Sequence, residues 1–139
     1  MRNDALLKLR RFEANEKRQK VVEIEMMIAD FRRMADDLDH QIKVEQEAAG
    51  VSDVNHFSYP TYAKAAIQRR DNLRSSVGGL EAKLEEAKAD LEAAMEELKK
   101  SELAEERSLG GGHHDRGMLQ SLPVEAPKPG LGIVPGRGA

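Results

Sequence analysis

The chain has 139 residues, of which 34% are charged, with five aromatic residues, no tryptophan and no cysteine. This length allows one domain with a tail, and the Ala-, Glu-, Lys-, Leu- and Arg-rich composition up to residue 109 is typical of long helices. The lack of cysteine excludes disulfides, thiolate metal sites and cysteine nucleophiles. The net charge of -3 gives no general reason to bind nucleic acid.

The start of the chain, "MRNDALLKLRRF", lacks the apolar run of a signal peptide. No stretch approaches the roughly 20 apolar residues that a membrane span needs. The sequence therefore predicts a soluble, cytoplasmic, helical protein that does not insert into a membrane.

The first predicted helix has apolar residues at alternating steps of three and four, the spacing of a coiled-coil seam. No proline falls before residue 60, and Gly50 is placed as a helix C-cap. We predict helix 1 at about residues 3–49 and a loop at 50–59. The seam residues of helix 1 are Val21, Ile24, Ile28, Phe31, Ala35, Leu38 and Ile42.

The second predicted helix repeats this rhythm and covers about residues 60–108. Pro60 suits its first turn, where the missing N–H is not needed. The seam residues of helix 2 are Leu73, Val77, Leu80, Leu84, Ala87, Leu91, Ala94 and Leu98.

In an antiparallel pair of helices, the residue numbers of facing positions have a nearly constant sum. In this chain the facing seam residues give 111 or 112 throughout, as for Leu38 with Leu73, so the two seams fit one antiparallel register. The predicted fold is all-α: an antiparallel coiled-coil hairpin over residues 1–109. Glu45 and Arg70 are expected to pair across the seam and set its register. Gly78-Gly79 is either a tolerated weak point or makes room for the ring of Phe31.

The predicted loop and the helix start after it, "HFSYPTYAKAA", contain three of the five aromatic residues. Phe57, Tyr59 and Tyr62 either fold over the alanines at the hairpin tip or are exposed anchors for a partner. Together with Pro60 they form the predicted tip.

Residues 110–139 contain eight glycines and four prolines, and they are predicted to be a disordered tail. Its His113-His114-Asp115 makes a poor metal site. The carboxylates lie on a two-helix rod without a pocket, and no Gly-rich phosphate loop is present. We therefore expect no catalytic, cofactor-binding or metal-binding residues and no enzymatic activity.

The first turns of helix 1 offer a candidate partner surface. Leu6, Leu9 and Phe12 recur at steps of three beside Arg10 and Arg11. They are either helix residues packed loosely on Leu98 and Ala94, or an apolar strip with a basic edge that enters an acidic or apolar groove.

Three stretches resemble the FliJ family of flagellar export proteins in its alphaproteobacterial form: "KRQKVVEIEMMIADFRRMADDLD", "AGVSDVNHFSYPTYAKAAIQRRDNL" and "LEEAKADLEAAMEELKKSELAEER". The likeness covers roughly residues 1–107, and 47–73 is its most specific part. It implies a stalk-like antiparallel coiled coil of the flagellar type III export apparatus, cytoplasmic and peripheral to the inner membrane.

The resemblance further implies three partners: the hexameric export ATPase, the cytoplasmic part of the export gate, and export chaperones. The joined helix ends of the family contact the ATPase. Carried over to this chain, that surface comprises Leu6, Leu9, Arg10, Arg11, Phe12, Leu98 and Leu103.

One departure from the family is the end of helix 2, "ERSLGGGHHDRG", where relatives continue as a charged helix. The tail is either a genuine variant or the product of a frame change. The alternative function is a coiled-coil scaffold unrelated to secretion, which dimerises through the Ala-rich back of helix 2. A monomer favours the export interpretation, and a stable homodimer favours the scaffold.

Overall fold

The computed structural model describes residues 2–110, with side chains from Asp4 onward. It contains two long α-helices, α1 (Arg2–Ala49) and α2 (Thr61–Gly110), and no strand within the described residues. The predicted all-α fold is therefore confirmed, and the predicted helix bounds agree with the observed ones to within two residues. Of the predicted tail at 110–139, Gly110 is the last residue of α2, and the rest lies outside the described residues.

The contacts divide the chain into two compact units. The hairpin unit comprises residues 11–96, which hold most of both helices and the loop between them. The terminal unit combines the start of α1 with the end of α2, and its described parts are residues 2–10 and 97–110.

The hairpin unit has its core along the predicted seam. The first apolar cluster contains Val21, Ile24, Ile28, Val77 and Ala87, with Phe31, Leu80, Leu84 and Leu91 packed against it. The second cluster contains Leu38, Ile42 and Ala66, with Ile67 and Leu73 packed against it. Since early residues of α1 pack on late residues of α2, the two segments are antiparallel. The predicted seam residues that belong to these two clusters are confirmed.

Alanine at seam positions keeps the two helices close. Ala35 and Ala63 are almost completely buried, whereas their larger neighbours in the core retain some exposure. Ala49, whose residue number gives the same sum of 112 with Ala63 and which is therefore expected to face it, is exposed. The reason is that α1 ends at Ala49, so the last turn leaves the seam.

The end of α1 forms a Schellman motif at the predicted C-cap. Gly50 has a positive φ of 71°, the left-handed conformation that favours glycine. The N–H of Val51 donates to the carbonyl of Gln46 at 3.2 Å, and the N–H of Gly50 donates to the carbonyl of Glu47 at 3.3 Å as well as to that of Gln46 at 2.9 Å. This cap turns the chain out of α1 and into the loop.

The start of α2 differs slightly from the prediction. The N–H of Lys64 donates to the carbonyl of Pro60 at 3.1 Å, and the helix begins at Thr61. Pro60 is therefore the N-cap residue rather than a member of the first turn, because its carbonyl accepts the first helical hydrogen bond.

The two glycines inside α2 do not interrupt the helix. A Cβ atom built on Gly78 or Gly79 meets no atom within 4 Å. The hypothesis that they make room for Phe31 is therefore wrong, because alanine would fit at both positions. They are a tolerated weak point in a continuous helix.

Candidate functional site

The predicted partner surface at the start of α1 is divided between the two units. In the terminal unit, Leu6, Leu9 and Leu103 are exposed, while Arg10 and Leu98 are partly buried. In the hairpin unit, Arg11 and Phe12 are exposed, with 60% of Phe12 accessible. The apolar residues of the predicted strip are thus accessible in the unit to which each belongs.

Sequence reasoning missed the buried residues beside this strip. Leu7 and Ser101 are buried in the terminal unit, and Ala14 is buried in the hairpin unit. Leu7 and Ala14 lie at heptad spacing before Val21, so the seam pattern continues to the start of α1. The signal was present in the sequence, but Lys17 and Arg10 at the intervening seam positions obscured it.

The loop is built from short-range hydrogen bonds around Asp53 and His56. An Asp53 side-chain oxygen accepts a hydrogen bond from the N–H of Asn55 at 3.0 Å, and its carbonyl accepts one from the N–H of His56, also at 3.0 Å. Nδ1 of His56 accepts one from the N–H of Ser58 at 3.0 Å, and the carbonyl of His56 accepts one from the N–H of Tyr59. This network joins the backbone of the loop from Asp53 to Tyr59.

The three tip aromatics have separate positions. Tyr59 is 6% exposed, and its hydroxyl accepts a hydrogen bond from the amide of Gln46 at 2.8 Å. Tyr62 is half-exposed, and its hydroxyl donates to the side-chain carbonyl of Gln41. Phe57 is 94% exposed and stacks on the ring of His56 at 4.7 Å. The prediction that these residues cover the tip is therefore wrong for Phe57, while Tyr59 is buried as that prediction requires.

Arg70 does not pair with Glu45, contrary to the prediction. It donates to Asp39 at 2.8 Å and to Asp71 at 3.0 Å, while Arg74 also bonds Asp39. Although Arg70 lies at a seam position, its long side chain reaches the carboxylate at the edge of the seam. The hydrogen bond from Arg70 is the main cause that lowers the pKa of Asp39 below its ordinary value, with Arg74 adding to it.

The remaining described surface has few features of a metal-binding or ligand-binding site. Among the described residues, no group of three or more His, Asp or Glu side chains could hold a metal ion. A shallow depression of about 240 Å³ is lined by Gln41, Val44, Glu45 and Tyr62, and it is wide open. Neither helix has, within residues 2–110, an apolar stretch that could cross a bilayer. His113 and His114 lie outside the described residues.

The fold and these surfaces define a helical hairpin with exposed apolar side chains at several separate places. Comparison of the chain with protein-family models, with curated proteins and with solved structures gives no match.

Proposed function

We propose that this protein is a non-enzymatic component of the flagellar type III export apparatus, cytoplasmic and peripheral to the inner membrane. It would bind the export ATPase ring as a stalk-like coiled coil and contact the export gate and export chaperones. Two things support the proposal: the resemblance to FliJ in residues 47–73, and the antiparallel packing of two long helices within the hairpin unit.

The observation that carries the ATPase contact is the exposure of apolar side chains at the start of α1. Leu6 and Leu9 are exposed although Leu7, between them, is buried. A leucine that the hairpin leaves uncovered loses the stabilisation that burial would give, about 1.5–3 kcal/mol for the whole side chain. A partner that covers these residues recovers part of this free energy.

A binding experiment with the purified export ATPase of the same bacterium tests this contact. We expect the full chain to bind, and the double variant Leu6→Glu, Leu9→Glu to bind at least about tenfold more weakly, a loss of about 1.4 kcal/mol. Val44→Glu is the control, because Val44 is also an exposed apolar residue of α1 but lies elsewhere on the helix. Equal binding by both variants would contradict the proposed contact.

A further inference from the structure

The outward face of α1 carries an uncharged strip in the hairpin unit. The strip occupies alternating steps of three and four on the side of the helix opposite the seam, and every member is exposed. It consists of Phe12, Asn15, Gln19, Val22, Met26 and Ala29. The apolar members are well exposed, with 60% of Phe12, 46% of Val22 and 62% of Met26 accessible.

This strip is unusual for the outside of a coiled coil, where charged and polar residues normally face water. The same face of α1 continues with Arg33, Asp36 and His40, and there it is charged and includes an ion pair between Arg33 and Asp30 at 2.8 Å. The uncharged character is therefore confined to about five turns of the helix. Its spacing is that of a second seam on the same helix.

The charges along the two edges of the strip are arranged for a second copy of the same helix. One edge carries Glu16, Glu23 and Asp30, and the other carries Arg11 and Arg18, followed by Glu25. Within residues 2–110, neither Arg11, Glu16 nor Glu23 has an ion pair. These three charges are thus available to a partner. Arg18 already has hydrogen bonds within its own chain, because it donates to Oδ1 of Asn15 at 2.8 Å and to the sulfur of Met95 at 3.2 Å, and a contact with a partner would replace them.

The direction of packing follows from these edges. In a parallel pair of helices, each residue of one edge faces the residue five positions later on the other edge of the partner helix. Arg11 then faces Glu16 and Arg18 faces Glu23, and each contact occurs twice by symmetry. Glu25 facing Asp30 is the one unfavourable pair. An antiparallel pair would instead align the three acidic residues of each copy with those of the other.

We infer that this strip is a self-association surface, on which two copies of the chain pack α1 against α1 in parallel and in register. A strip about 27 Å long and one helix wide gives an interface near the lower limit for specific association, about 1,000 Å² in total. The dimer is therefore weak and concentration-dependent. It differs from the stable homodimer through helix 2 that the scaffold interpretation requires, and it does not rest on the flagellar proposal.

Sedimentation equilibrium of the full chain tests the association. We expect the average mass to rise above the 15.5 kDa of one chain as the concentration increases from about 10 µM to about 1 mM. Val22→Glu should keep the mass at one chain. Val44→Glu is a closely matched control, since 47% of Val44 is exposed against 46% of Val22, and it should associate like the parent chain. A constant mass in the parent chain, or equal loss in both variants, would overturn the inference.

Single cysteines test the direction, because the natural chain has none. In the parallel dimer, Phe12→Cys and Met26→Cys should each form a disulfide with the same residue of the second copy under mild oxidation, while Met34→Cys, outside the strip, should not. An antiparallel dimer would join Phe12→Cys only to Ala29→Cys in a mixture of the two variants, and that result would overturn the parallel arrangement.

Charge-reversal variants test the contacts between the charged edges without changing the uncharged strip. Arg18→Glu and Glu23→Arg should each weaken the dimer several-fold, and the double variant should restore it, with circular dichroism confirming equal helix content. Failure of the double variant to recover association would refute the predicted pairing.

Discussion

The middle of the hairpin unit and its loop-proximal end each contain an aliphatic cluster, and they differ in the polar contacts beside it. In the middle, Ile24 and Ile28 of α1 belong to one aliphatic cluster with Val77 of α2. Toward the loop, side chains are fixed by specific polar contacts: Asp39 by Arg70 and Arg74, and Tyr59 by Gln46.

Aliphatic burial and polar contacts contribute differently to the stability of the hairpin and to the specificity of its register. Aliphatic burial is non-directional and contributes in proportion to the area removed from water. Ion pairs and hydrogen bonds contribute less net free energy but demand one geometry. The larger aliphatic cluster in the middle therefore contributes more to the stability of the hairpin than the smaller one near the loop. The polar contacts near the loop, and the ion pair of Arg32 with Glu81 in the middle, help to fix the register.

The largest effect should come from the aliphatic cluster. Ile28→Ala removes a buried side chain and is expected to lower the free energy of unfolding by about 3 kcal/mol, measured by urea denaturation. Met27→Ala, at the exposed neighbouring position, should cost less than about 0.5 kcal/mol. Similar losses for the two variants would show that the seam does not carry the stability.

Substitutions at the hairpin tip should lower the free energy of unfolding less, and only one of its two aromatic residues tested should matter. Tyr59→Ala is expected to cost about 2 kcal/mol, because it opens a cavity beside the end of α1. Phe57→Ala should leave the melting temperature unchanged, since Phe57 is almost fully exposed. If Phe57→Ala destabilised the chain as much as Tyr59→Ala, the separation of these two residues would be wrong.

The ion pairs of Asp39 should contribute less and should depend on pH. Asp39→Asn is expected to lower the free energy of unfolding by about 1 kcal/mol at neutral pH, because Asp39 and Arg74 remain partly exposed. The pKa of Asp39 is lowered in the folded state, so its contribution is complete above the ordinary pKa of about 3.9 and is lost as the pH falls below it.

Thermal melts of Asp39→Asn and the parent chain from pH 7 to pH 2.5 test this dependence. The difference between them should be constant down to about pH 4 and then shrink. A difference that grows below pH 4 would have the wrong sign for this ion pair.

Substitutions of glycine should change the free energy of unfolding least, raising it inside α2 and lowering it at the end of α1. Gly78→Ala or Gly79→Ala is expected to raise the free energy of unfolding by about 0.5–1 kcal/mol, because the added Cβ has open space and alanine favours a helix. Gly50→Ala should lower it by about 1 kcal/mol, since its φ of 71° strains any residue with a Cβ. Denaturation of the three variants should separate them, and stabilisation by Gly50→Ala would contradict the assigned cap.

The sequence predicted the structure best where a single heptad spacing of apolar residues determines the packing. The helices, the antiparallel register and the C-cap at Gly50 all follow from the spacing of apolar residues and from glycine chemistry. The spacing of apolar residues does not specify which carboxylate a long side chain reaches. For this reason Arg70 was predicted to pair with Glu45, whereas it pairs with Asp39.

The loop and the candidate surfaces were harder to predict. Phe57 and Tyr59 are two positions apart, and nothing in their composition indicates that one is exposed and the other buried. The folded loop divides them by contacts that are remote from this composition: the hydroxyl of Tyr59 is bonded to Gln46, and Phe57 stacks on His56. The uncharged strip on α1 is visible in the sequence at heptad spacing, but its exposure becomes evident only once the first seam is known to be filled by α2.

Swimming in soft agar tests the proposed function most directly, using a strain of the source bacterium that lacks this gene. We expect the deletion to abolish swimming, and the full chain and the Val44→Glu control to restore it. The Leu6→Glu, Leu9→Glu variant, at equal protein level, should fail. A deletion strain that swims like its parent would contradict a role in flagellar export.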